Sequence, residues 1–361
     1  MSANLVGVVP GIVDTHLHQW DPFITPREAS RLAPLYRRAP RVVERLLPVL
    51  VDKGSRDLVL TPEHVARPYL PPTYAADVAG TVDAVGVGVE AAVHIEADWH
   101  SEDPAEETVW LETLPFGQGG APQLAAIVGR GDPRSPTFAR VLDAHARASS
   151  RFRGIRCLTS WHPDAKVKRW IDREGVMRSP EFLRGFAALA ERGLSFDAYV
   201  YSNQLSDVLV VAKEYPETTI VLDHYATPVG WLGPMGRSTG RSEAERADIL
   251  SRWRDAIAEV AQHRNVVSKQ SGLAFTMLGL KEVGIGRPAL AELVAPLVDH
   301  TADVFGEDRL LFGSNFPMDK SITSYATIVG ALADILEPRG PRVLRKVFRD
   351  NAVSVYRLTA R

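Results

Sequence analysis

Two histidines separated by a single residue, His16 and His18, follow a short apolar run at residues 12–13. The isoleucine and valine of that run favour a short buried strand. Alternate side chains of a strand point to the same side, so both imidazoles would face one cavity. Two imidazoles aimed at one point suit a divalent metal, a polarised carbonyl or an anionic substrate group. The pair is a weak motif alone, but it ends the first strand-like run of a long chain.

The rest of the chain predicts a barrel around this pair. Strand-like and helical runs alternate, and counted from residue 11 they form eight strand–helix units. Eight such units predict an α/β fold, the (β/α)8 TIM barrel, whose active site lies at the carboxyl ends of the strands. A doubly wound open sheet is the alternative, but no G-x-G-x-x-G follows a strand-like run. After the first strand, the predicted strands are residues 91–96, 124–129, 152–157, 194–200, 219–222, 266–269 and 310–312.

An insertion follows the first predicted strand. Residues 26–72 are rich in Arg and Pro, with a helical run at 39–50 between proline-containing breaks. This segment is too long for a simple connection. We interpret it as a lid over the mouth or as a contact between copies of the chain. Since no linker or low-complexity tract divides the sequence, residues 1–361 are predicted to form a single domain.

Composition and charge narrow the class of protein. A hydrophobic fraction of 45% and a charged fraction of 24% are typical of a soluble globular protein. The net charge of −2 gives no reason to expect nucleic acid or an anionic membrane as partner. The single cysteine, Cys157, fits a reducing compartment, and the first residues resemble no signal peptide. We therefore predict a cytoplasmic protein with a small-molecule substrate, and the sequence is compatible with a homo-oligomer.

Polar side chains stand at the end of every predicted strand. Chance would not usually place chemically useful residues at all eight ends, so the set is a stronger signal than any member. These residues are His16 and His18, His94 and Glu96, Arg130 and Asp132, Arg156, Tyr199 and Tyr201, His224, Lys269 and Ser271, and Asn315 and Asp319.

Two of these residues are cations inside apolar runs. An unpaired Arg156 or Lys269 would be costly to bury, so each either forms an ion pair or binds a substrate carboxylate. Glu96 and Asp197 are the candidate ion-pair partners.

Tyr199 and Tyr201 either line the pocket or serve packing alone. His224 follows an apolar strand and is either a donor to a substrate carbonyl or a histidine satisfied by the backbone. Asn315 cannot accept a proton. Asp319 either reaches the mouth as a general base or caps the next helix.

These features together resemble the amidohydrolase superfamily, and more narrowly its amidohydrolase-2 branch of sugar-lactone lactonases, pyrone-dicarboxylate lactonases and related decarboxylases. The resemblance runs through the whole chain, in the blocks VDTHLHQWD, VHIEADW, FRGIR, LSFDAYVYSNQL, VLDHYATPVG, NVVSKQSGLAF and RLLFGSNFP. It implies a (β/α)8 barrel that hydrolyses its substrate with water activated at the carboxyl mouth. It also implies His16 and His18 at the reacting centre, His224 on the substrate carbonyl, and Arg156 and Lys269 as anion contacts.

The chain departs from the family pattern at two positions. The fifth strand offers Tyr and Asn where metal-dependent members have a histidine, and Asn315 stands where the family's catalytic aspartate is usual. A catalytic zinc site usually has about three protein ligands plus a water molecule. Metal-free operation is therefore favoured, and a divalent metal such as zinc on His16 and His18 is the alternative. Asp319 is the substitute candidate for the water-activating base, and Glu96 the second.

The sequence thus predicts a hydrolase of a small carboxylated lactone or similar activated cyclic ester. Glu96, Tyr199 and Tyr201 join Arg156 and Lys269 as candidate substrate contacts. One alternative is a metal-dependent decarboxylase of a small unsaturated or aromatic acid. A second alternative, motivated by Asn315, is a barrel that binds a ligand without turnover.

Overall fold

A computed structural model describes residues 2–359 and confirms the (β/α)8 barrel. Its eight strands are parallel and lie side by side in chain order. Hydrogen bonds from Thr15 Oγ1 to the Phe312 carbonyl (2.6 Å) and from the Asn315 N–H to the His16 carbonyl (2.9 Å) join the last strand to the first. The strands are β1 Ile12–Leu17, β2 Val89–Ile95, β3 Gln123–Arg130, β4 Phe152–Leu158, β5 Ser195–Tyr199, β6 Ile220–Leu222, β7 Val266–Gln270 and β8 Leu310–Phe312.

The helices surround this barrel. No helix within residues 2–359 is both long enough and apolar enough to cross a bilayer. The helices are α1 Ala33–Arg38, α2 Pro40–Leu50, α3 Lys53–Val59, α4 Pro62–Ala66, α5 Pro71–Val78, α6 Thr81–Val85, α7 Ala105–Glu112, α8 Phe138–Ala148, α9 Pro180–Glu191, α10 Leu205–Glu214, α11 Glu243–Ala261, α12 Arg287–Phe305, α13 Tyr325–Leu336, α14 Pro341–Arg345 and α15 Asn351–Val355.

The insertion is more helical than its sequence suggests. Residues 26–72 hold four short helices, α1–α4, and α5 begins at their end. Pro40, Pro62 and Pro71 each occupy the first position of a helix, where proline costs no hydrogen bond. Prolines that look like breaks in the sequence are therefore helix starts. Near the C-terminus, a π-helical turn at Lys346–Asp350 separates α14 from α15.

Side chains alternate between the inside and the outside of the barrel. In β5, Phe196 and Ala198 join the core between sheet and helices, whereas Asp197 contacts Lys269 of β7 across the interior. The lower interior is filled by a separate apolar cluster that includes Val13, Val128 and Val267. Polar groups therefore occupy the inward positions above this apolar layer.

The C-terminal helices close the bottom of the barrel. Arg349 donates to the carbonyl of Gly11, at the start of β1 (2.9 Å), and Arg153, at the start of β4, donates to the carbonyl of Tyr356 (2.8 Å). The Tyr356 ring packs in the apolar cluster of the lower interior. Its hydroxyl donates to Asp197 Oδ2 at 3.0 Å. One side chain thus reaches from the bottom helix to the polar layer.

Candidate active site

A cavity of about 770 Å³ lies between the carboxyl ends of the strands and the insertion. The barrel contributes His18, Arg156, Tyr199, His224 and Asn315 to its wall. All five were selected from the sequence as residues at strand ends. Their convergence on one cavity is what a barrel active site requires.

Three imidazoles cluster at the base of this cavity, where His18 and His224 line it and His16 is fully buried behind them. The His16 ring lies 4.9 Å from the His18 ring and 4.4 Å from the His224 ring, measured between centroids. Burial lowers the pKa of His16 and of His18 well below the ordinary value and lowers the pKa of His224 to about 3. All three imidazoles are therefore neutral near pH 7, as required of a proton acceptor or a neutral hydrogen-bond donor.

Hydrogen bonds orient two of these rings. His18 Nδ1 lies 2.9 Å from the Ile95 carbonyl, which can only accept, so Nδ1 carries the hydrogen and Nε2 carries the lone pair. His224 Nδ1 lies 2.9 Å from the hydroxyl of Ser271 at the end of β7. A serine hydroxyl can donate to that nitrogen, and Nε2 of His224 would then carry the hydrogen. The two rings can thus present complementary atoms, an acceptor and a donor.

The turn after β6 brings two functional side chains to one place. Consecutive residues of a strand point to opposite faces, yet Asp223 and His224 both approach His16. The backbone of His224, Tyr225 and Ala226 lies in the left-handed region, with φ of 50°, 58° and 54°. This uncommon conformation reverses the alternation and turns His224 inward beside Asp223.

Asp223 is the main site residue that our sequence reasoning missed. A signal for it exists, because inward-facing Val221 places Asp223 on the inner face of β6 by simple alternation. Burial alone would raise the pKa of Asp223. The Lys269 ammonium and the neighbouring imidazoles outweigh this effect and hold the pKa well below the ordinary value. Asp223 is therefore a fixed negative charge and a weak base.

Lys269 lies fully buried between two carboxylates. Its ammonium contacts Asp197 Oδ2 and lies 3.1 Å from Asp223 Oδ1. It also lies 3.4 Å from His16 Nδ1, beneath the cavity floor. The sequence left an ion pair and a substrate contact open for Lys269, and these contacts are those of an ion-pair network.

Arg156 pairs with Glu96 and still reaches the cavity. Its Nε donates to Glu96 Oε1 at 2.7 Å and one Nη donates to the Glu96 carbonyl at 2.6 Å. The other Nη lies 3.4 Å from His16 Nε2 and 3.6 Å from Asp223 Oδ2. The bidentate grip of Glu96 fixes the guanidinium plane beside the imidazoles. Glu96 itself is buried behind Arg156.

Asn315 lines the cavity and holds Asp319 behind it. The backbone of Asn315 is left-handed (φ 57°), and its Nδ2 donates to Asp319 Oδ1 at 2.7 Å. The second oxygen of Asp319 accepts from the Ala274 N–H at 2.9 Å. Burial raises the pKa of Asp319 to about 7. Its carboxyl group therefore titrates near neutral pH while it is engaged by Asn315 and the backbone.

The two candidate tyrosines lie at different depths. The Tyr199 ring faces Arg156 at 5.7 Å and lines the cavity. The Tyr201 hydroxyl donates to the Lys168 carbonyl at 2.8 Å, which makes it a support for the loop after β4.

Three groups could offer ligand atoms to a metal ion. Atoms of His16, Asp223 and His224 lie within 4.8 Å of one another. This set includes Asp223 in place of His18, so it differs from the pair expected from the sequence. Side-chain cations already contact two of its members, because Lys269 and Arg156 flank both nitrogens of His16 and both oxygens of Asp223.

Comparisons with known proteins agree with the architecture. A family model described as Amidohydrolase matches residues 13–358. The chain is 34% identical over 277 residues to the "Uncharacterized protein y4mH" of Sinorhizobium fredii, covering 76% of this chain and 83% of that protein. It is 32% identical over 239 residues to an L-fucono-1,5-lactonase of Burkholderia ambifaria, covering 65% of this chain and 71% of that protein. A solved amidohydrolase of Burkholderia multivorans with bound zinc is 23% identical, with a TM-score of 0.66 and coverage of 97% of this chain and 100% of that one.

Proposed function

The chain belongs to the amidohydrolase family of hydrolases, and from this premise we propose that it opens a lactone ring by attack of water on the ring carbonyl. The observation that carries the proposal is a single cavity lined by two neutral imidazoles, those of His18 and His224, and by the guanidinium of Arg156, with the neutral imidazole of His16 directly behind them. Such a site has a proton acceptor and donors for a developing oxyanion. Lactonase-named relatives support the same reaction class.

In the proposed mechanism His18 activates the water. Its Nε2 has the free lone pair, because Nδ1 is committed to the Ile95 carbonyl. A water between this nitrogen and the substrate transfers one proton to Nε2 while its oxygen bonds to the carbonyl carbon. The carbonyl electron pair moves to oxygen and forms a tetrahedral oxyanion. Asp319 acts through Asn315 in this scheme, by holding the amide that faces the cavity.

His224 and Arg156 stabilise the oxyanion. With Ser271 donating to Nδ1, the Nε2–H of His224 donates to the substrate oxygen. Burial keeps the His224 imidazole neutral, and a neutral imidazole with its hydrogen on Nε2 can still donate to the oxyanion. The guanidinium of Arg156 adds fixed positive charge, oriented by Glu96. Removal of one such donor typically costs a factor of about 10²–10³ in kcat.

Collapse of the oxyanion completes the reaction. The bond between the carbonyl carbon and the ring oxygen breaks, and the ring oxygen takes the proton held on His18 Nε2. The product is an open-chain hydroxy acid, and His18 returns to its neutral form. The proton taken from water thus returns to the ring oxygen, and the carboxylic acid of the product releases its own proton to the solvent at neutral pH.

A carboxylate on the substrate would meet Arg27 of the insertion and Arg156. Arg27 stacks over Trp20 at 4.0 Å and donates through Nε to the Ala97 carbonyl. Within the described part of the chain, its buried Nη1 has no hydrogen-bond partner. Lys269, an anion contact expected from the resemblance, is already matched by two carboxylates. We assign it to charge balance beneath His16.

We also propose that this reaction requires no metal. The candidate ligand atoms of His16 and Asp223 already have an ammonium and a guanidinium beside them, and a divalent ion there would add positive charge to positive charge. The residues present therefore fit a divalent ion poorly. In place of a metal ion, His224 and Arg156 polarise the substrate carbonyl.

Elemental analysis provides the test of metal independence. We expect protein purified without chelator to contain less than one equivalent of zinc or manganese and to keep its lactonase activity after dialysis against a chelator. A His16→Ala/His18→Ala double variant is the matched control for metal bound at this site. One equivalent of metal in the wild type, absent from the double variant, would contradict the proposal and favour metal-dependent decarboxylation.

The pH dependence of kcat/KM should reveal the ionisation of the Asp319 carboxyl group. Because its folded-state pKa is about 7, its carboxyl group ionises as pH rises through neutrality and then accepts more strongly from Asn315. We expect kcat/KM to rise with pH through an inflection near 7. The inflection should be absent from Asp319→Asn, measured from pH 5.5 to 8.5. If Asp319→Asn retains the same inflection, another group controls the profile.

The reaction class is tested by proton release. Five- and six-membered lactones, with and without a carboxylate, should acidify a weakly buffered indicator solution, and no carbon dioxide should be released. Ligand binding without acidification in either ring size would favour the non-catalytic barrel. Asn315→Asp would then be the variant in which to look for restored turnover.

A further inference from the structure

The insertion builds an apolar outer part of the cavity. Its side chains Leu32, Val43, Leu47, Leu58 and Val65 line the space above the strand ends. The barrel, by contrast, supplies the polar groups around the reacting centre. The outer wall, which the insertion contributes, is therefore largely apolar, and the guanidinium groups of Arg27, Arg31 and Arg56 are polar groups within it.

Most acidic side chains on the outer wall are already engaged. Glu44 accepts from the Tyr36 hydroxyl at 2.8 Å, and Asp52 caps α3 by accepting from the Ser55 N–H at 3.0 Å. Glu28 pairs with a lysine of the β4 loop at 3.3 Å. A polyhydroxylated substrate would thus find few free acceptors there. An apolar substituent that packs against this wall would remove its own surface and the surface of the wall from water, which is favourable.

Aromatic rings continue this apolar surface down to the histidines. Trp20 stacks near His18, with 6.5 Å between ring centroids, and Phe275 lies 5.4 Å from His224. Trp170 and Tyr199 complete the ring of aromatic side chains around the cavity. A substituent on the lactone ring would therefore pass directly from the reacting centre into apolar surroundings.

The outer wall is fixed to the barrel by hydrogen bonds. Thr276 Oγ1 donates to the Leu58 carbonyl at 2.7 Å, and Ser321 Oγ donates to the Val59 carbonyl at 3.1 Å. These bonds tie α3 to the loops after β7 and β8. The volume of about 770 Å³ enclosed in this way is in the range of drug-sized ligands and exceeds the need of a bare lactone ring.

We propose that the physiological lactone carries an alkyl or aryl group that occupies the outer part of the cavity. This inference rests on the proposed lactonase function and specifies its substrate class. It separates this chain from an enzyme whose substrate is a hydroxylated sugar ring alone. The insertion is then the specificity element of the barrel.

A substrate series provides the first test. The ring stays a δ-lactone while its substituent is hydrogen, butyl or octyl, and a sugar δ-lactone is the polar comparison. We expect kcat/KM to rise by up to about fourfold for each buried methylene until the cavity is filled. Equal rates across the series, or a preference for the sugar lactone, would overturn the inference.

Two neighbouring leucines of α2 provide matched variants. Leu47 lines the cavity, whereas Leu46 is 44% exposed on the outer surface of the same helix. We expect Leu47→Trp to fill the outer part and to lower kcat/KM for the octyl lactone at least tenfold more than for the unsubstituted ring. Leu46→Trp should change neither substrate. A uniform loss with both lactones in Leu47→Trp would show that the wall does not contact the substituent.

Binding separates failure of this inference from failure of the proposed function. The corresponding δ-lactams resist hydrolysis, so their affinities can be measured by calorimetry on the wild-type protein. If no lactone is hydrolysed but lactam affinity rises with chain length, the proposed function falls and the ligand class stands. If lactones are hydrolysed and lactam affinity is independent of chain length, the inference falls and the function stands.

Discussion

Replacing His224 with alanine will lower kcat for lactone hydrolysis by about 10²–10³, with little change in KM. The Nε2–H of His224 contributes mainly in the transition state, when the carbonyl oxygen becomes an oxyanion. The substrate itself is held by the rest of the cavity, which His224→Ala leaves in place. Steady-state kinetics on the best lactone of the series measures both constants.

The matched control for this variant is His263→Ala, which removes a partly exposed imidazole just after α11. This control should retain wild-type kinetics. Full turnover in His224→Ala would remove His224 from the mechanism. Full turnover in both His224→Ala and Asp319→Ala would refute the lactonase mechanism as a whole.

Replacing Lys269 with methionine will reduce the free energy of unfolding by about 3–5 kcal/mol. The ammonium is fully buried and contacts Asp197 and Asp223, so its removal leaves two buried carboxylates facing one another without their shared cation. Because small proteins are stable by only about 5–15 kcal/mol, the urea midpoint should fall strongly. Activity should fall as well, since His16 rests on the same network.

A second variant separates charge imbalance from loss of packing. Adding Asp197→Asn to Lys269→Met removes one of the two unpaired charges and should recover part of the lost stability. Lys213→Met, at an exposed position of α10, is the surface control and should change stability by less than about 0.5 kcal/mol. A loss below about 1 kcal/mol in Lys269→Met would mean that the ammonium is not the required counter-charge.

The sequence predicts the barrel and its catalytic face because both depend on local patterns. Each strand is a short apolar run, each is followed by a helical run, and parallel order places all carboxyl ends on one side. His18, Arg156, His224 and Asn315 could therefore be assigned to one cavity before any geometry was known. Within the insertion, the predicted helical run at 39–50 is confirmed as α2. The other short helices were not predicted, because prolines that look like breaks, such as Pro62 and Pro71, are helix starts.

Glu96 and Asp197 are predicted from the sequence as the ion-pair partners of Arg156 and Lys269, and the structure confirms both. Which carboxylate pairs with which cation could not be predicted, because it depends on side-chain reach across the barrel. Arg156 is the direct register neighbour of Asp197 on β5, yet it binds Glu96 from β2. Asp197 instead binds Lys269 from β7. Asp223 could have been assigned to the inner face by alternation with Val221, but His224 reaches the same site only through the left-handed turn at residues 224–226. Departures of this kind are set by tertiary packing and leave no pattern in the sequence.

The hydroxyl of Tyr356 has a consequence for anyone who engineers this scaffold. In a barrel of this type the bottom is usually free to be stabilised or fused, because chemistry is confined to the top. Here Tyr356 rises from the bottom helix to Asp197, which holds Lys269, which in turn supports His16. Substitutions in the C-terminal helix would therefore also change the electrostatic surroundings of His16. A library built there should be screened for activity as well as for thermal stability.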